Sequence, residues 1–181
     1  MNPHDLASVA TRRGQKVITR IAKLLLLAGV AFFYSLVVFN NLTDFNSNYQ
    51  FVRHVLMMDT TFPGNHGMWR ALTLPAAGYA FYIAIIVWET VTAILLWWGC
   101  VALSRAIRYP VLNFEAAKRI PVIALTLSLL MWLVAFISVG GEWFLMWQSQ
   151  MWNGEGTAFR NFTIAGIVLL VFIFPERDLQ P

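Results

Sequence analysis

The chain has 181 residues, 59% hydrophobic, 15% aromatic and only 12% charged, with a mean hydropathy of +0.62; soluble domains carry about twice that charge fraction, so a water-soluble globule is excluded. One cysteine, Cys100, leaves no internal disulfide, cysteine-ligated metal cluster or redox thiol pair, and the three histidines, His4, His54 and His66, lie outside the apolar runs, where they cannot clasp a haem between spans. The net charge of +4 is explained by basic flanks of membrane spans drawn to anionic lipid headgroups, so membrane lipids and not nucleic acid are the expected partners.

A helix needs about 20 apolar residues to cross about 30 Å of hydrocarbon. Four segments approach this, at about 24–39, 76–103, 120–139 and 157–174, and the fold class expected is an all-α four-helix membrane bundle. Residues 1–23 form a basic N-terminal segment, 24–174 the transmembrane domain and 175–181 a tail. The apolar stretch from Leu24 runs unbroken to Phe39, which suits an uncleaved signal-anchor better than a cleaved signal peptide. Ten of the thirteen basic residues lie before the first span (Arg12, Arg13, Lys16, Arg20, Lys23), between the second and third (Arg105, Arg108, Lys118, Arg119) or after the fourth (Arg177). Because basic residues resist translocation, both termini are expected in the cytoplasm.

The first outer loop, 40–75, is expected to be folded. Ser47 and Gln50 stand at capping-box spacing and predict a helix start. On that helix Tyr49, Phe51, Val52, Val55, Leu56 and Met58 share one side and Gln50, Arg53 and His54 the other, the pattern of a helix lying on the bilayer or on a partner. Phe62-Pro63-Gly64-Asn65 predicts a turn, with proline presetting φ and glycine tolerating positive φ. His54, Met57 and Met58 could offer soft ligands to a metal, but Met58 belongs to the apolar side, and no metal site is expected. Arg53 and Arg70 are candidates for surface ion pairs or lipid phosphate.

Within the second span Glu89 is the one ionisable residue inside any apolar run, about 20 Å along a helix of roughly 40 Å. A charge there costs several kcal/mol, so its neutral form is favoured. Tyr82, Ile85, Ile86, Thr92 and Ala93 share its face, which must point into the bundle. Trp132 and Ser128 on the third span lie at similar depth and are candidate donors. Glu89 is then either a neutral structural carboxyl or a proton-binding site of the kind used by small four-span proton-coupled exporters. Trp97 and Trp98 suit an interfacial anchor near Arg105. Pro121 is expected to bend the third span if the helix starts upstream at Glu115. The second outer loop, 140–156, opens with Gly140-Gly141, expected to break the helix. Beyond it Trp143, Phe144, Trp147 and Met151 would form a second interfacial stripe if helical, with Trp152 beside Asn153-Gly154. Trp69 and Arg70 join these as a candidate lipid or partner interface.

The stretches VVFNNLTDFNSNYQFVRHVLMMDTTFPGN (Val37 to Asn65), MWRALTLP (Met68 to Pro75), VWET (Val87 to Thr90), NFEAAKR (Asn113 to Arg119) and GGEWFLMWQSQMWNG (Gly140 to Gly154) resemble a bacterial family of predicted small integral membrane proteins of unknown function. The resemblance covers roughly Arg20 to Leu170. It implies four spans and a bacterial inner-membrane setting, with no assigned reaction and no catalytic residue to carry over. With no cofactor constellation or nucleophile–base pair in the sequence, neither a cofactor nor catalysis is expected. The function expected is that of a non-catalytic accessory or scaffold subunit of a larger bacterial membrane complex, with respiration as the candidate setting, that docks larger subunits through its aromatic outer loops and helix faces. The alternative is a proton-coupled small transporter or channel using Glu89.

Overall fold

A computed structural model describes residues 3–176, with side chains from Gly14 onward. The side chains of His4, Arg12 and Arg13, and the tail from Arg177, lie outside the described residues. The described chain is helical throughout, joined by turns: α1 (Pro3–Thr43), α2 (Phe45–Met57), a 3₁₀ turn (Met68–Arg70), α3 (Pro75–Ala106), α4 (Val111–Ala117), α5 (Arg119–Leu130), a π-wound segment (Met131–Trp143), a second 3₁₀ turn (Met146–Gln148) and α6 (Glu155–Ile173). Four stretches are long and apolar enough to cross a membrane: Gly14–Thr43, Pro75–Ala106, Val111–Trp143 and Glu155–Ile173. The first packs on α3, α3 on α5, and α6 on α5 and the π-wound segment. Both chain ends lie at one end of this bundle, the terminal end, and the two long loops at the other, the loop end.

Two apolar cores follow. The larger, toward the terminal end, gathers Leu27, Ala31, Leu96, Leu103, Phe114, Leu125 and Phe172. Here Gly99 lets α3 approach α5, because a Cβ on it would meet Pro121 Cγ at 2.9 Å. The smaller core, at the loop end, holds Tyr49, Val52, Leu56, Met58, Tyr82, Ile86, Phe144 and Met146. The apolar stripe of α2, expected to face lipid or a partner, therefore packs inward on α3 and on the second loop.

Four local expectations are corrected. The first span does not stop at Phe39: α1 continues to Thr43, and the buried partners of Asn41 compensate the low helix propensity of asparagine. Only Asp44 then separates it from α2, whose helix starts at Phe45 with no side-chain cap. Ser47 thus lies inside the first turn and the Ser47–Gln50 capping box does not form. Gly140 and Gly141 do not break the third span; they lie buried in its last turn, where a Cβ on Gly141 would fall 2.5 Å from Glu155 Oε1. The break instead follows Trp143: Leu145 takes a left-handed φ of 54°, and the expected Trp143–Met151 helix is a bent loop with one 3₁₀ turn. That reversal turns Phe144 and Met146 into the core and leaves Trp143, Trp147 and Met151 exposed, so no single stripe exists.

Other expectations hold. Gly64 takes φ +76° with Asn65 N donating to Phe62 O at 3.3 Å, a turn with proline and glycine at its two central positions. The third span begins upstream of Pro121, as a short α4 that yields to α5 at Lys118. Pro121 lacks the N–H that would bond the Ala117 carbonyl, and its ring crowds that carbonyl. Beyond Leu130 the winding widens: Ser138 Oγ donates to Leu133 O at 2.8 Å and Phe144 N to Val139 O at 3.0 Å, each five residues back, the π register.

Candidate functional site

Glu89 lies near the middle of α3, turned into the bundle and 2% exposed. Asn41 Nδ2, from the last turn of α1, donates to Glu89 Oε2 at 2.5 Å. Tyr82 OH, two helical turns from Glu89 on the same face, donates to Asn41 O at 3.1 Å and lies 3.3 Å from Asn41 Oδ1. The amide is thereby fixed with its NH₂ toward the carboxyl. Glu89 Oε1 takes no hydrogen bond from a described residue, yet it is not among the sealed, unpartnered polar atoms. Glu89 lines a cavity of about 320 Å³ together with Asn41, Tyr82, Phe51, Trp132 and Phe136. Toward the loop end the cavity wall continues through Asn40, Asn48, Asn153 and Thr157; Asn40, Asn153 and Thr157 are exposed, so the cavity reaches the surface. The volume exceeds by several-fold the roughly 30 Å³ share of one water, and the rim supplies the polar partners water needs.

Trp132 separates this cavity from a second one of about 310 Å³, lined by Tyr34, Ser128, Asn161 and apolar residues of α1 and α6. Tyr34 OH donates to Ser128 Oγ at 2.8 Å and accepts from Trp132 Nε1 at 3.0 Å, a neutral, mutually satisfied trio. Thr92 Oγ1 turns back on Trp88 O at 2.8 Å. The larger apolar core follows.

At the terminal end the basic flanks are organised otherwise than the sequence suggests. Arg20, Lys23 and Lys118, expected to face headgroups, are buried. Arg20 donates to both carboxylate oxygens of Glu176, at 2.8 Å from Nη2 to Oε2, and through Nη1 to Ile107 O and Tyr109 O at 2.8 and 2.7 Å. Its guanidinium carbon also stands 4.5 Å from the centre of the Phe114 ring. Lys118 Nζ lies 2.8 Å from Glu115 Oε2 and donates to Phe174 O at 3.1 Å, while Glu115 Oε1 accepts from Glu176 N at 3.0 Å. The Glu115–Lys118 spacing is a helical neighbour pair, but Arg20 and Glu176 are 156 positions apart and no local pattern joins them.

Among the residues singled out in the sequence, Glu89, Tyr82 and Trp132 share the cavity, and Ser128 belongs to the Tyr34 trio beside it. The outer-loop candidates divide. Arg53 Nη1 lies 3.3 Å from Gln50 Oε1. His54 Nδ1 lies 2.7 Å from Asp59 Oδ2 and its ring stacks on Trp152 at 4.7 Å. Arg70 sits between Trp69 and Trp143, 5.9 and 5.6 Å from their ring centres. Trp147 meets Phe62 edge-on at 5.8 Å, Met151 is exposed and Phe144 is buried. Asn41 and Tyr34 were not singled out, although they stand seven residues apart and hence on one face of a continuous helix.

Four apolar spans around a buried carboxyl and a loop-end cavity define the class: a multi-pass helical integral membrane protein. Within that class the chain belongs to the family described as predicted small integral membrane protein (DUF2165), whose model matches residues 19–175. No curated protein and no solved structure matches the chain.

Proposed function

We propose that this chain is a small proton-coupled transporter of the bacterial inner membrane, with Glu89 as its proton-binding group. The single observation behind this reading is that Glu89, with one carboxyl oxygen unbonded by any described residue, lines a cavity that reaches the surface at the loop end. A purely structural carboxyl has no use for an open route to water, since buried polar groups are ordinarily satisfied within the protein. The basic flanks support a cytoplasmic placement of both termini, which turns the cavity mouth toward the periplasm. Protons reach Glu89 from that side, and the apolar core beneath it holds the opposite side shut in this conformation. Infrared difference spectra of the purified protein, acid minus alkaline, test the reading. A protonated-carboxyl C=O band that appears on acidification and is lost in Glu89→Gln is expected; no Glu89-dependent band across the pH range of the folded protein overturns it.

The accessory-subunit reading is favoured by a different observation. Trp69, Arg70 and Trp143 form one exposed cluster on the loop end, and Phe62 with Trp147 another; aromatic and arginine side chains anchor protein interfaces. The aromatic surface left for a partner is smaller than the sequence suggests, because the stripe of α2 and Phe144 are consumed internally. Extraction in mild detergent distinguishes the two readings: stoichiometric co-purification of larger subunits supports the scaffold role, and a pure, stable homo-oligomer counts against it.

A further inference from the structure

The cavity at Glu89 has a chemistry of its own. One carboxyl forms its floor, and Asn40, Asn41, Asn48, Asn153 and Thr157 supply neutral polar groups. Its apolar walls include the rings of Phe51, Tyr82, Trp132 and Phe136, and among the described residues no Lys, Arg or His lines it. The groups facing Glu89 from each neighbouring element are neutral: Asn41 and Tyr34 from α1, Asn48 from α2, Tyr82 from α3 itself, Trp132 and Phe136 from the π-wound segment, and Thr157 from α6. Three charged residues stand close in sequence to the lining but outside it: Asp44 at the α1–α2 turn, Glu155 next to Gly154, and Arg160, exposed one turn beyond Thr157 on α6.

A deprotonated Glu89 thus has no counter-charge among the described residues. In a site of low dielectric an unpaired carboxylate is costly, and either a proton or a cation relieves the cost. Aromatic walls favour a cation whose charge is spread over carbon-bound substituents, since ring faces attract ammonium groups most when desolvated. A bare metal ion instead needs several oxygen ligands, and the cavity presents mostly carbon. At about 320 Å³ it lies at the lower end of small-molecule pockets.

We propose that this cavity binds a small organic cation, a substituted ammonium with an aromatic or aliphatic body, in exchange for the proton on Glu89. The inference rests on the proton-site reading above and names its cargo class. Binding releases the carboxyl proton to the loop-end solution, and the cation takes its place as counter-charge; charge and protons balance with no other reactant.

Titration calorimetry of the full chain in detergent, with a pH indicator present, tests this with phenyltrimethylammonium and its uncharged isostere tert-butylbenzene. Expected are one proton released per cation bound, roughly tenfold weaker cation binding per pH unit in the acid range where Glu89 is protonated, and at least tenfold weaker cation binding in Glu89→Gln. Phe136→Leu, which keeps the carboxyl, is expected to weaken the cation roughly fivefold and leave the isostere unchanged. Equal binding of both compounds without proton release overturns the cargo class, as does release of the proton by sodium chloride alone. If neither compound binds while the Glu89 infrared band still responds to pH, the cargo assignment fails and the proton site stands. If the band is absent, both fail.

Discussion

The two ends of the bundle bury charge in opposite ways. At the terminal end Arg20 has a carboxylate, two carbonyls and an aromatic face around one guanidinium; at the loop end Glu89 has one amide donor and an open cavity. A saturated ion pair resists change, because removing either member strands the other. In the proposed function, an under-coordinated acid next to a cavity is the group that exchanges a proton. The contrast separates a group that holds helices together from a group available for chemistry.

Substitutions can break or sharpen this contrast. The largest loss is expected for Arg20→Ala, which strips Glu176 of its hydrogen-bonded partner, leaving only the charge of nearby Lys23, and bares two carbonyls; destabilisation of about 3–5 kcal/mol is expected, read as a large drop in melting temperature in detergent, and a shift near zero would place the cluster in bulk water. Gly99→Val comes next. It drives two methyl groups into the rigid Pro121 ring and Leu27, for about 1–3 kcal/mol, and intact thermal stability would mean that α3 and α5 do not touch there. Tyr34→Phe removes the acceptor of Trp132 and the donor to Ser128, costing about 1–3 kcal/mol; the tryptophan emission spectrum should also shift. Glu89→Gln sits at the other extreme. It keeps an acceptor for Asn41 and is expected to change stability by under about 1 kcal/mol, while abolishing the pH-dependent carboxyl band. A thermal loss for Glu89→Gln as large as that for Arg20→Ala would erase the distinction between the ends.

Much of the fold was legible from hydropathy alone, because membrane spans are defined by uninterrupted apolar length. The four stretches, the Pro63-Gly64 turn and the inward face of Glu89 all follow from local spacing. What was not legible depends on contacts between distant segments. Asn40 and Asn41 read as the start of a loop, since asparagine ends helices more often than it continues them, and only Glu89 and Tyr82 across the bundle explain why α1 goes on. Gly140 and Gly141 read as a break, whereas they continue the helix, Gly140 packed beside Met146 and Gly141 beside the Glu155 side chain at the start of α6. Arg20 and Lys118 read as headgroup anchors because the carboxylate opposite Arg20 lies at the far end of the chain and Lys118 finds its carbonyl there too. Glu89 was found from its isolation among apolar residues. Its cavity was not, because empty space leaves no mark on a sequence.

The near-continuity of α1 and α2 ties the donor of Glu89 to the roof above it. Asn41 lies three residues before Asp44, and Asn48, Phe51 and Val52 lie a few residues after it. A tilt of the first span therefore pulls on the carboxyl's amide and on the cavity's lid in the same stroke, so loosening the acid and widening its doorway are mechanically one event.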